Sequence, residues 1–133
     1  MRSPRVLVVD DNDAGLMLAV AVLTLDGFAV DTAGTSEEVM ERLDEKLPDL
    51  ILMDVQMPGQ DGLSLTRQLK ADPATAGIRI VALTAHAMPG DREAAIEAGC
   101  SGYISKPIET RTFAAQVRAF LRSPRLDPVT PGG

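Results

Sequence analysis

The chain has 133 residues, 45% of them apolar, which suits one domain with a single core and is short for two. A formal net charge of -6 and a sequence pI near 4.7 disfavour direct contact with nucleic acid or an anionic membrane, because either polyanion repels such a surface. One cysteine, Cys100, excludes an intramolecular disulfide and a Cys-rich zinc site, and points to a reducing compartment.

The start, Met1-Arg2-Ser3-Pro4-Arg5, is followed by too short an apolar stretch for a signal peptide. The longest apolar block, Leu16 to Leu23, is far below the roughly 20 residues needed to cross a bilayer, so a soluble cytoplasmic protein is expected.

Short β-branched runs alternate with longer segments of helical period, the pattern of βα units around a parallel sheet. The first strand is expected near Arg5 to Asp10 and the first helix near Asp13 to Asp26, stopped by Gly27. A second strand near Phe28 to Thr32 leads into Thr35-Ser36-Glu37-Glu38, a capping box that opens a helix over Ser36 to Lys46. The third unit pairs Leu50 to Asp54 with a helix over Gly62 to Ala71. The fourth pairs Arg79 to Thr84 with a helix over Pro89 to Ala98, opened by a first-turn proline and closed by Gly99. The fifth pairs Gly102 to Ser105 with Glu109 to Arg122. Most of these strands lack alternation, as expected when helices cover both faces of the sheet. The tail, Ser123 to Gly133, with three prolines and two terminal glycines, is expected to be flexible.

In doubly wound sheets the ligand sits beyond the carboxyl ends of the strands. Asp10, Asp11, Asp54, Thr84 and Lys106 all fall at that edge. Three carboxylates in one crevice repel one another, so one keeps a proton or the group recruits a cation. A hard divalent ion with oxygen ligands, magnesium, suits them and would screen Asp54 from an anionic phosphoryl donor. Asp54 is then the candidate nucleophile, forming an acyl phosphate. Lys106 supplies a charge that pairs with Asp54 before transfer and with a phosphoryl oxygen afterwards, and Thr84 supplies a hydroxyl donor for a second oxygen. A cis bond at Pro107 is expected to turn the lysine into the site.

Plainer explanations exist for several of these residues. Asp10-Asp11-Asn12-Asp13 also suits helix-cap chemistry. An EF-hand loop is excluded because no glutamate closes it and the context is strand to helix. A haloacid-dehalogenase-type phosphatase needs a second acid at the position of Gln56. Cys100 lies in an apolar turn and reads as a small buried side chain rather than a nucleophile for His86. His86, two residues after Thr84, is placed to tune the access of water.

The ordered set Asp10-Asp11-Asn12, Asp54 with Met57-Pro58 and Asp61-Gly62, Thr84-Ala85 and Lys106-Pro107 resembles the receiver domain of bacterial two-component response regulators, across residues 5 to about 122. The resemblance implies a flavodoxin-like α/β fold, a five-stranded parallel sheet of order 2-1-3-4-5 with five helices. It implies that Asp54 accepts phosphate from a histidine kinase or histidine phosphotransfer protein. Magnesium would be held by Asp11, Asp54 and the backbone carbonyl of Gln56, with Asp10 reaching it through water. Thr84 and Tyr103 would form the switch pair, remodelling the fourth helix, fifth strand and fifth helix, where family members dimerise on phosphorylation or meet a downstream protein. The domain would be a phosphoacceptor rather than an enzyme acting on outside substrates. Two alternatives stay open: a constitutive interaction module that is never phosphorylated, and the receiver fragment of a hybrid kinase.

One departure stands out. The first helix is apolar nearly all round, whereas a surface helix normally shows one polar side. Placing Gly15, Leu18, Ala19 and Val22 against the sheet leaves Met17, Val20, Ala21 and Thr24 outward, an apolar stripe that signals a contact. In receivers this helix packs on the kinase or phosphotransfer bundle, so Met17 and Val20 are candidate docking residues, with a homodimer as the alternative. In the fifth helix, Phe113, Val117, Phe120 and Leu121 are expected inward, and Arg111, Arg118 and Arg122 are read as a solvated outer stripe.

Overall fold

The computed structural model describes residues 3–55, 61–84, 90–106 and 108–122. Five strands and five helices alternate: β1 (Arg5–Val9), α1 (Asp13–Leu25), β2 (Ala29–Ala33), α2 (Ser36–Glu45), β3 (Leu50–Asp54), α3 (Gly62–Ala71), β4 (Arg79–Thr84), α4 (Asp91–Ala98), β5 (Gly102–Ser105) and α5 (Phe113–Arg122). All strand pairs are parallel and the order is β2-β1-β3-β4-β5, the doubly wound sheet expected from the sequence. No helix among the described residues is long and apolar enough to cross a membrane.

The continuous apolar runs conceal a period of two that becomes visible once the sheet has two covered faces. Val6, Val8, Leu50, Leu52, Val81 and Leu83 pack with Ala19 and Leu23 of α1 and Phe113 and Val117 of α5. Leu7, Val9, Ile51, Met53, Ile80 and Ala82 pack with side chains of α2, α3 and α4. Every residue of β3 is buried. At about 25 cal/mol per Å² of apolar area removed from water, such two-sided burial dominates the stability of the sheet.

Local signals set most boundaries. Asn12 caps α1 by accepting from the Gly15 N–H at 3.0 Å, and Gly27 (φ 93°) and Gly99 (φ 114°) take the left-handed conformation that ends α1 and α4. Thr35 accepts from the Glu38 N–H at 3.1 Å, but the Glu38 carboxylate reaches back to the N–H of Gly34, one residue before the expected partner, at 2.9 Å.

The structure also corrects the sequence reading. β1 stops at Val9, and α4 begins at Asp91 after Gly90, which stands in the left-handed conformation (φ 95°). α5 begins at Phe113 rather than Glu109, because the Thr112 N–H closes a tight turn on the Glu109 carbonyl at 3.1 Å. α1 keeps Ala19 and Val22 inward and Met17, Ala21 and Thr24 outward as expected, but Leu16 also packs inward, Val20 is partly buried and Leu18 is exposed. Between Asp13 and Thr24 the helix carries no polar side chain to fix its orientation, so neighbours decide it. One such neighbour is Arg118, which leaves the expected solvated stripe, pairs with Asp26 at 2.6 Å and lies 4.5 Å over the Phe28 ring. Pro89, His86, Pro107 and the tail 123–133 lie outside the described residues.

Candidate functional site

β1 and β3 are neighbours, and Val9 pairs with Met53, so Asp10 and Asp54 leave adjacent strand ends side by side. The strand order reverses between these two strands, which opens a crevice at the carboxyl edge. Asp10 and Asp54 are only 3% and 5% exposed, whereas Asp11 is on the surface. One carboxylate oxygen from each of Asp10, Asp11 and Asp54 lies within 4.8 Å of the others.

β5 brings the cation. Its last residues continue the ladder through the Lys106 N–H, which donates to the Thr84 carbonyl at 2.7 Å. From that anchor the Lys106 ammonium reaches Asp10 Oδ2 at 2.7 Å and Asp54 Oδ2 at 3.7 Å. The lysine therefore bridges both buried carboxylates, with the tighter contact to Asp10 rather than to Asp54. Thr84 is buried at the same edge. Tyr103 pairs across the sheet with Ala82 and rests, partly buried, against the core beneath α3 and α4.

Local structure holds these groups in place. The Asn12 N–H donates to Asp10 Oδ1 at 2.9 Å, so the residue that caps α1 also orients the buried acid. Asp61 caps α3 by accepting from the Ser64 N–H at 2.8 Å; that hydrogen bond, more than the nearby Arg67 charge, holds the Asp61 carboxyl below its ordinary range. Burial pushes the Cys100 thiol up to about 11, consistent with a packing role.

Sequence reasoning missed two close approaches. A Cβ on Gly62 would lie 2.1 Å from the Asp54 carbonyl oxygen, and one on Gly15 would lie 3.2 Å from Asp10 Oδ2. A glycine inside a helical turn costs about 1 kcal/mol relative to alanine, and that cost was the available signal. Gly15, Ala14, Leu18 and Ile108 also border a cavity of about 290 Å³ that opens beside Asp10 and Lys106. Of the proposed docking residues, Met17 is 73% exposed and Val20 is partly buried. Gln56, whose carbonyl was expected to bind metal, lies outside the described residues.

The donor set fits a small hard cation: carboxylate oxygens only, on converging elements, with two of the three acids withdrawn from water. A buried carboxylate at a strand end, a cluster of acids that could hold a cation and a lysine at one rim suit phosphoryl transfer.

Comparison with known proteins agrees with this geometry. The chain is 42% identical over 120 residues to the response regulator PleD of Caulobacter vibrioides, covering 90% of this chain and 26% of PleD. It is 36% identical over 116 residues to the polar-differentiation response regulator DivK of Brucella ovis, covering 87% of this chain and 94% of DivK. The chain thus spans about a quarter of PleD and nearly all of DivK. Among solved structures, a response regulator from Thermotoga maritima superposes with a TM-score of 0.83 at 26% identity, covering 91% of this chain and 99% of that one. The family model of the response regulator receiver domain matches residues 6–118, and with the strand order and the acids at its switch point this establishes that the chain belongs to the receiver domain family of two-component response regulators.

Proposed function

We propose that the chain is a phosphorylation switch in which Asp54 accepts a phosphoryl group from a histidine kinase or histidine phosphotransfer protein. The observation that carries this reading is the convergence of Asp10, Asp11 and Asp54 within 4.8 Å, with the Lys106 ammonium on two of them. An Asp54 carboxylate oxygen bonds to phosphorus as the bond from phosphorus to the donor's imidazole nitrogen breaks, and the electron pair stays on the imidazole. Asp11, Asp54 and the Gln56 carbonyl would hold magnesium, with Asp10 behind a water. When bound, that ion supplies charge neutralisation for the phosphoryl oxygens.

Lys106 holds the two buried acids together at rest and gains a phosphoryl oxygen as a further partner after transfer. The Thr84 hydroxyl donates to another. The added charge of about -1.5 to -2 draws Thr84 toward the phosphate, and the Tyr103 ring takes up the space, altering the surface of α4, β5 and α5. That surface meets a downstream protein or a second phosphorylated copy. Output passes through protein contacts in the cytoplasm rather than through nucleic acid or a membrane, consistent with the charge of -6. Residues 5–122 form the receiver, and the same chemistry serves a free-standing receiver or one that is part of a hybrid kinase.

The test is intact mass after incubation with magnesium and a small phosphodonor. One phosphate added to the native chain and none to Asp54→Ala is the expected result. No addition to either would overturn the switch and leave a constitutive interaction module.

A further inference from the structure

On the side of α1 and α5 the fold leaves apolar surface uncovered. Of the six large apolar side chains exposed among the described residues, Met17, Leu18 and Leu25 lie on α1, and Leu25 is 89% exposed. α1 carries a single charged residue, Asp13, in 13. Its partner helix continues the surface: a groove of about 540 Å³ runs between them, lined by Val22, Leu25, Ala114 and Ala115, with Arg111 and Arg118. Leu18, Val22 and Leu25 follow one another at spacings of four and three, the interval that presents a seam to another helix.

The charges around this seam are distributed by end. Both helices start at the sheet edge that carries the acids and run toward the opposite edge, since both follow strands of one parallel sheet. At the starting end exposed Asp11, Asp13 and Glu109 outnumber exposed Arg111, which precedes α5. At the far end Arg118 and Asp26 pair and cancel one another, which leaves exposed Arg122 at the end of α5 as the net positive charge. A two-fold axis across the middle of α1 therefore lays the apolar seams antiparallel and sets the acidic end of each copy against the basic end of the other. An isologous contact needs that kind of self-complementarity. The net charge of -6 opposes association only weakly at physiological salt, where charges more than about 8 Å apart are screened.

We propose that the α1–α5 face binds a second copy of this chain in an antiparallel, two-fold dimer that does not require phosphorylation of Asp54. The dimer is distinct from any contact through the α4, β5 and α5 surface.

The test is sedimentation equilibrium of the full chain from roughly 5 μM to 1 mM, the range of weak specific association. The expected mass rises from 14.1 kDa toward twice that value, equally for the native chain and Asp54→Ala. Leu25→Lys, on an exposed side chain, is expected to raise the midpoint concentration at least about tenfold while keeping the native circular dichroism spectrum. Asp13→Arg and Arg122→Glu each weaken the dimer, and combined in one chain they restore it. A single-chain mass throughout, a dimer indifferent to Leu25→Lys, a dimer lost in Asp54→Ala, or no recovery in the charge-exchanged variant would each overturn the proposal.

Discussion

Gly62 lies so near the Asp54 carbonyl that any side chain there must move backbone, because its Cβ would sit 2.1 Å from that oxygen. The first turn of α3 is held in the same place by Asp61, which caps it, and by the Thr66 hydroxyl, which donates to the Gly62 carbonyl at 2.8 Å. Gly62→Ala is expected to cost about 1–3 kcal/mol, seen as a lower urea midpoint, with slower labelling of Asp54 by a small phosphodonor because the strand end is displaced. An unchanged midpoint would show that the approach is not tight. Asp61→Ala removes the cap and is expected to cost about 1 kcal/mol at neutral pH, while Asp61→Asn costs less. The Ser64 N–H holds the folded carboxyl below its ordinary value of 3.8, so the stabilisation is complete above that value and fades as pH falls through the lower folded one. Urea titrations of native and Asp61→Ala chains should therefore converge in strong acid, and a constant gap would show that the charge is irrelevant. Cys100 makes a contrasting case: with its thiol pushed up to about 11 inside the core, alkylation at mildly alkaline pH should be slow until urea unfolds the chain.

At the scale of elements, α1 is where sequence and structure part most clearly. Its exposed apolar ridge was foreseen, but Val20 is partly buried whereas Met17 is 73% exposed, so Met17→Lys is the cleaner probe of docking. Phosphotransfer from a cognate phosphodonor protein should slow by about tenfold or more, as for loss of an interface anchor, while labelling by a small phosphodonor is unchanged. Equal slowing with both donors would mean that the substitution damages the site rather than the contact. The strands were legible because Val6 to Val9, Leu50 to Met53 and Ile80 to Leu83 are buried on both faces, and burial of that kind writes an unbroken apolar run into the chain. The rim residues were legible for a related reason, since a polar residue ending such a run must emerge at the sheet edge. The inward packing of Leu16 and the exposure of Leu18, the tie from Arg118 to Asp26 and the approaches of Gly15 and Gly62 were not legible, because each depends on a partner far away in sequence or on a distance that only the folded backbone sets. The turn over Glu109 to Thr112 was misread as helix because its composition does not distinguish one tight turn from the first turn of α5.

For the whole molecule, the site is a local cost to stability that a ligand should relieve. Asp10 and Asp54 are withdrawn from water, a third carboxylate stands within 4.8 Å, and Lys106 supplies one positive charge among them, in a chain whose net charge is already -6. Pairing with Lys106 offsets part of the desolvation of the two buried acids, but one ammonium cannot neutralise three carboxylates. A divalent cation that binds this arrangement only when the chain is folded stabilises the native state by mass action. At magnesium ten times its dissociation constant the gain is about 1.4 kcal/mol, and for a domain of this size that raises the melting temperature by roughly 3–6 °C. The shift should disappear with a chelator, be absent in Asp54→Ala, and not be reproduced by potassium chloride at matched ionic strength, which separates binding at the acids from screening of the surface. Calorimetric melts of the two chains with and without magnesium decide it. A rise of the same size in both would place the ion elsewhere on the acidic surface and remove Asp54 from the metal site.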